Sequence, residues 1–142
     1  SFHILGHNQR IMGFREAVAT NPNIRVLEVA ENKDDNDLSY QVTKTLLTTH
    51  HPDLLYFCAA GTEGGMRAVT EADYGCKVVV VDDVEPMREY LAQGALLAIV
   101  TQQPYRQGFM MVGLLYDFLV TAKRPEHVHN YMENQVRLQH SK

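Results

Sequence analysis

The 142-residue chain is predicted to fold as an α/β sandwich on a parallel sheet, and three observations predict it. Short apolar runs of strand length alternate with segments of helical periodicity. Four consecutive valines after Lys77 read as a strand buried on both faces, the pattern of a parallel sheet. Each such run is followed by turn or cap residues and then a helix, the order that right-handed crossovers require, with helices on both sheet faces.

The elements follow in order. Ile11, Phe14, Ala17 and Val18 recur at helical spacing within 9–20, and Asn21-Pro22-Asn23 ends that helix. Residues 24–30 read as a strand and 31–36 as a polar connection, with Asp37 as the cap of a helix running to about Thr49 and closed by His50-His51-Pro52. Residues 53–58 form a compact apolar strand, Ala59-Ala60-Gly61 a turn, and Thr62–Ala72 a helix. The strand Lys77–Val81 ends at Asp82-Asp83, residues 85–93 are helical, and Gly94 stands where a helix C-cap belongs. Residues 96–101 make another strand, and 105–122 a long helix stopped by Pro125. The polar stretch 129–138 is expected as a final strand at the sheet edge. With no repeat or low-complexity tract, the chain is one domain over 1–142, its only soft boundary near 101–104.

Composition narrows the function classes. Seventeen acidic and thirteen basic residues give a formal charge of −4, which offers no basic face for a phosphate backbone, so any DNA contact would need residues outside this chain. No run approaches the roughly 20 apolar residues of a membrane span, and the apolar stretch 109–122 is broken by Gly113 and Asp117. The start lacks the basic flank and apolar run of a secretory signal, and Ser1-Phe2-His3 has no initiator Met, as expected of a processed or truncated chain. Cys58 and Cys76 lie at opposite ends of one strand–helix unit, too far apart for a disulfide, whose Cα atoms must lie within about 7 Å. Free thiols favour a reducing compartment.

In open parallel sheets ligands bind beyond the carboxyl ends of the strands. That rule selects 58–62, Asp82-Asp83 and 101–104, a mixture of small residues, carboxylates and amides suited to a neutral polyol. Other readings compete at each point. Asp82 and Asp83 suit capping of the following helix as well as ligand contact. The glycines of 61–65 lack the Lys-Ser/Thr ending of a phosphate loop, and Glu63 repels phosphate, so packing accounts for them. His50-His51 and His127-x-His129 have no zinc-site spacing, so no metal is expected, and no cofactor. Cys58 has no base in its sequence neighbourhood and reads as a small buried hydrophobe rather than a nucleophile. Asp82-Asp83 also stands too late in the chain for the acidic pair of a phospho-acceptor receiver domain. A small α/β enzyme using Asp82 or Glu63 is the competing class; the expectation is a binding protein and not an enzyme.

Four motifs carry a resemblance. Arg10-Ile11-Met12-Gly13-Phe14, preceded by His7, is followed by the Gly-rich junction of 61–69, then by the strand ending in Asp82-Asp83, and then by Gln102-Gln103-Pro104-Tyr105-Arg106-Gln107-Gly108. In order and spacing over nearly the whole chain they resemble the C-terminal lobe of type I periplasmic binding proteins, and in particular the effector-binding domain of LacI-family transcription regulators. The resemblance implies a Rossmann-like lobe that binds a sugar or sugar-like small molecule in a cleft against a first lobe outside this chain. Arg10 would bridge ligand hydroxyls, Asp82 would accept from them, and Gln102 would line the hinge side. Cys58 stands where many relatives place a ligand-binding Asn, so that contact would move to Thr62 or Glu63. The helix 105–122 would pack on the first lobe, with Phe109, Val112, Leu115, Tyr116 and Leu119 seeking another partner in its absence. A cytoplasmic homodimer is implied, contacting DNA only through a missing N-terminal domain and no membrane; the alternative is the same lobe in an extracytoplasmic sugar-binding protein of a transporter or sensor kinase.

Overall fold

The computed structural model describes residues 5–127 and 129–139, so the opening Ser1-Phe2-His3 lies outside the described residues. The elements are α1 (Leu5–Ala19), α2 (Asn36–His50), β1 (Leu54–Phe57), α3 (Thr62–Ala72), β2 (Lys77–Val81), α4 (Glu85–Ala92), β3 (Ala98–Thr101), α5 (Pro104–Thr121) and β4 (Gln135–Arg137). The four strands form one sheet in the order β1-β2-β3-β4. The first three are parallel, and β4 joins the outer edge of β3 antiparallel.

Strand residues alternate between sheet faces, and β2 shows why the sheet is covered on both. Val78 and Val80 are fully buried among Met66 of α3, Met87 and Leu91 of α4, and Leu96 and Ile99. Each such side chain removed from water stabilises the fold by about 1.5–3 kcal/mol. Tyr56 of β1 points the other way from Phe57, which packs on that core, and receives the ring of Phe14 from α1 at 5.0 Å. A second cluster of Leu47, Ala68 and Cys76 joins α2 to α3.

The approach of these two helices explains the glycines. A Cβ at Gly64 would lie 1.7 Å from the Asn36 carbonyl oxygen, and one at Gly65 would meet the Phe57 ring at 2.4 Å. Gly61 adds a left-handed backbone at φ 81°, with the Asp35 carbonyl oxygen 2.8 Å from where its Cβ would be. Gly94, also left-handed at φ 77°, closes α4 in a Schellman motif: its N–H donates to the Leu91 carbonyl and that of Ala95 to the Tyr90 carbonyl.

Several expectations need correction. Residues 24–30 are not a strand: no ladder forms between them and β1, whose outer edge has no strand neighbour among the described residues. Glu28 is tied instead to His50 at 2.7 Å. α1 begins at Leu5 rather than residue 9. The cap of α2 is Asp35 and not Asp37, because Lys33 and Asp34 turn the chain through left-handed conformations and leave Asp35 extended, its Oδ1 accepting from the Leu38 N–H at 2.7 Å. Neither Asp82 nor Asp83 caps α4; the cap position is held by Val84, whose apolar side chain accepts no hydrogen bond. The edge strand is present but shorter than 129–138, and it runs antiparallel to β3.

α5 has no buried residue. Phe109 is 75% and Leu119 71% exposed, and Tyr105, Met111, Val112 and Tyr116 are exposed with them. A helix apolar all round is ordinarily buried, so α5 forms the unpartnered surface whose apolar stripe the sequence displays.

Two glycine substitutions separate packing from propensity. Gly64→Ala is expected to destabilise the chain by about 3 kcal/mol, because the new methyl meets backbone that cannot give. Gly113→Ala, with nothing within 4 Å of its Cβ, is expected to stabilise by roughly 0.5–1 kcal/mol through helix propensity. Urea unfolding midpoints of the two variants check both signs.

Candidate functional site

The carboxyl ends of β1, β2 and β3 lie side by side, and neighbouring strands are spaced about 4.8 Å apart, so the three tips span about 10 Å. Each tip supplies polar groups.

Asp82 follows β2 with its backbone in the left-handed region at φ 77°, and its N–H donates to the Val100 carbonyl at 2.9 Å. That conformation costs a non-glycine residue about 1–3 kcal/mol, less for Asp, whose short polar side chain tolerates it. It turns the carboxylate toward β3, where Oδ1 accepts a short hydrogen bond from Gln102 Nε2. Gln102 is held in turn from α5, since Gln107 Nε2 donates to its carbonyl at 2.6 Å. Gln103 is a second left-handed residue, at φ 55°.

At the neighbouring tip, Arg10 of α1 donates from Nη1 to the Cys58 carbonyl at 2.7 Å. Burial pushes the Cys58 thiol up, and the Arg10 charge opposes that only in part. A thiol held in its protonated form is a poor nucleophile. Thr62 is buried at the first position of α3, while Glu63 faces solvent in the same turn. Asp82 and Gln102 are thus in direct contact, Arg10 and Cys58 are in direct contact, and the two pairs stand at one end of the sheet, with Thr62 and Glu63 beyond them on α3.

Asn32 and Asp34, which no sequence motif singles out, close this end together with His7. Asn32 Nδ2 donates to the Ala60 carbonyl at 2.7 Å, and Asp34 Oδ1 accepts from the Ala60 N–H at 3.0 Å. His7 stands 4.0 Å from Asp34. Asn32-Lys33-Asp34-Asp35 reads in sequence as a plain polar connection, although Asn and Asp are the residues that bond a turn's backbone.

At the start of α3 the Gly64 N–H is already taken, donating to Asn36 Oδ1 at 3.2 Å. The paired histidines have structural neighbours: His50 meets Glu28, His51 sits at the left-handed cap of α2 against the Tyr74 ring, and His129 stacks on Tyr131. Among the described residues no three His, Cys, Asp or Glu side chains gather as metal ligands, and no helix is long and apolar enough to cross a membrane.

A family described as periplasmic binding protein domain matches residues 5–123. Among solved structures the chain is similar to GanP, a glucose-galactose binding protein from Geobacillus stearothermophilus, at 22% identity and a TM-score of 0.82 over 93% of this chain and 48% of that one. It is similar to AraP, an arabinose binding protein from the same organism, at 21% identity and a TM-score of 0.84 over 96% and 51%. It is also similar to an ABC transporter solute binding protein from Agrobacterium vitis bound with alpha-D-tagatopyranose, at 20% identity and a TM-score of 0.83 over 94% and 45%. The chain therefore spans about half the length of these structures. No curated protein matches the sequence.

Asp82→Asn is expected to leave stability within about 0.5 kcal/mol, since Asn tolerates the left-handed backbone and still accepts from Gln102. Asp82→Val is expected to cost about 2 kcal/mol or more, from strain and the lost bond; thermal unfolding of the pair checks this. Because burial raises both the Cys58 and Cys76 thiols, the stability they contribute is full below the ordinary thiol pKa and is lost as pH rises through the raised folded values. Iodoacetamide labelling at pH 8 is accordingly expected to be severalfold slower in the folded chain than in urea.

Proposed function

Since the chain belongs to the periplasmic binding protein domain family, we propose that it is the sugar-binding C-terminal lobe of a two-lobed solute-binding protein that delivers its ligand to a transporter or a sensor. The observation that carries the reading is the pairing of Asp82 with Gln102 beside the Arg10–Cys58 contact at the carboxyl end of a parallel sheet. A sugar hydroxyl both donates and accepts. A carboxylate takes its proton, and a guanidinium or amide N–H reaches its oxygen. Asp82 and Gln102 bond one another, as do Arg10 and the Cys58 carbonyl, and a sugar exchanges those bonds for its own.

GanP is a glucose-galactose binding protein, AraP an arabinose binding protein, and the Agrobacterium vitis protein an ABC transporter solute binding protein bound with alpha-D-tagatopyranose, which supports this choice of ligand class and favours the transporter-associated reading over a LacI-family regulator. The regulator, cytoplasmic and acting on DNA through a separate N-terminal domain, is the second reading. The free thiols of Cys58 and Cys76 favour it, because a reducing compartment preserves them. In either case ligand closes two lobes by population shift, and binding without turnover is the activity. The coding sequence upstream of Ser1 separates the two: a signal peptide goes with the transporter reading, a helix-turn-helix with the regulator.

Half a cleft binds weakly, because a net hydrogen bond contributes only about 0.5–1.5 kcal/mol and water competes on the open side. Titration of this chain with D-galactose or L-arabinose is expected to give millimolar or weaker affinity, lost in Asp82→Ala. The full-length protein is expected to bind far more tightly, and a full-length protein that binds no sugar sinks the reading.

The exposed face of α5 is proposed to pack on the first lobe of the full protein and, in this chain alone, to pair with a second copy, since large contiguous apolar patches are rare on monomers. Sedimentation equilibrium at tens of micromolar is expected to give a dimer that Phe109→Glu or Leu119→Glu weakens. A single-chain mass throughout removes the homodimer.

A further inference from the structure

We propose that Asp83 is a positioning residue of this site: one carboxylate shared by two arginines clamps the edge strand β4 to α4 and so fixes the strand tips that carry Asp82 and Gln102. The positioning role rests on the sugar-site reading of those two residues; the clamp itself does not.

The Asp83 side chain is only 10% exposed, and each oxygen has its own guanidinium. Oδ1 accepts from Arg88 Nε of α4 at 2.7 Å, and Oδ2 lies 2.9 Å from Arg137 Nη1 of β4. Arg88 Nη2 also reaches the Asp83 carbonyl at 3.4 Å. Exposed ion pairs contribute little, but a carboxylate largely withdrawn from water and bonded on both oxygens leaves an uncompensated charge when a partner is lost.

β4 is three residues long and all three are exposed, so polar contacts carry much of its attachment. Besides its ladder with β3, Gln103 Nε2 donates to the Glu133 carbonyl at 2.6 Å and Gln139 Nε2 to the Ala92 carbonyl at 3.1 Å. Asp83–Arg137 is the ion pair among these attachments, and it starts one residue from Asp82.

The register carries the effect to the site. Gln135 stands opposite Thr101, the last residue of β3, and Gln102 follows directly. On the other flank Asp82 is bonded through its N–H to Val100, which pairs with Val136. Releasing β4 therefore frees the outer edge of the two residues on either side of the Asp82–Gln102 bond, while β2 and its core stay packed.

Amide hydrogen exchange by NMR on this chain tests the clamp in Asp83→Asn and in Arg137→Gln, the latter changing a residue that lies outside the buried core. The expected result is exchange at least tenfold faster at Asp82 and Gln103 in both variants, no change at Val78 and Val80, and partial recovery of protection in Arg137→Lys. D-galactose affinity is expected to fall at least fivefold alongside. Unchanged exchange at Asp82 and Gln103 overturns the clamp. Equal acceleration at Val78 overturns it as well, because Asp83 would then hold the fold rather than the site. A wild-type protein that binds neither D-galactose nor L-arabinose nor any other sugar even at full length, with exchange responding as described, overturns the sugar reading and supports the clamp.

Discussion

Parallel pairing of β1, β2 and β3 is the constraint from which the rest follows. Strands that run the same way must end at the same place, so three separate turns deliver their first residues to one edge of the domain. Parallel strands also need helical crossovers long enough to return the chain, and these crossovers bury the sheet. Val78 and Val80 of β2 answer the second need: their branched side chains, on one face of the sheet, fill the layer between it and α3 and α4. The polar end is thus a by-product of the apolar middle.

Precision at that end comes from backbone rather than from a dense core. Asp82 and Gln103 both occupy left-handed conformations that side chains ordinarily avoid, and hydrogen bonds to the Val100 and Glu133 carbonyls and from the Gln107 side-chain amide hold the turns in which they sit. On the far flank Asn32 and Asp34 secure Ala60, and the glycines of α3 let α2 come close enough for that turn to reach. The glycines contribute to that end by removing bulk.

How much of this was legible in the sequence depended on whether the deciding interaction was local. Lys77–Val81 and Thr62–Ala72 were readable to the residue, because an apolar run and a glycine-initiated helix carry their own boundaries. Residues 24–30 have equally good strand composition and are not a strand, since a ladder requires a neighbour that no local pattern reveals. The cap of α2 was misplaced by two residues for a similar reason: Asp35 and Asp37 are both good caps, and the left-handed turn that decides between them is invisible in composition. Of the candidate site residues, Arg10, Asp82 and Gln102 were named from motif order, and their placement at one sheet end follows from topology. Cys58 contributes its carbonyl, which no reading of side-chain chemistry would have singled out. Asn32 and Asp34 escaped because they act across the domain on Ala60.

The course of the chain around α5 has an architectural consequence. It leaves the sheet at Gln103 and comes back at Glu133, and the two points touch through the Gln103 amide, with Thr101 and Gln135 paired just inside them. An excursion whose ends meet is topologically a bracket: what lies within can be lengthened, exchanged or cut out and the ends rejoined by a short linker, while strand order and register outside are untouched. The lobe is therefore modular at that point, a sheet that can keep its own identity while different arms are spliced onto one fixed stem.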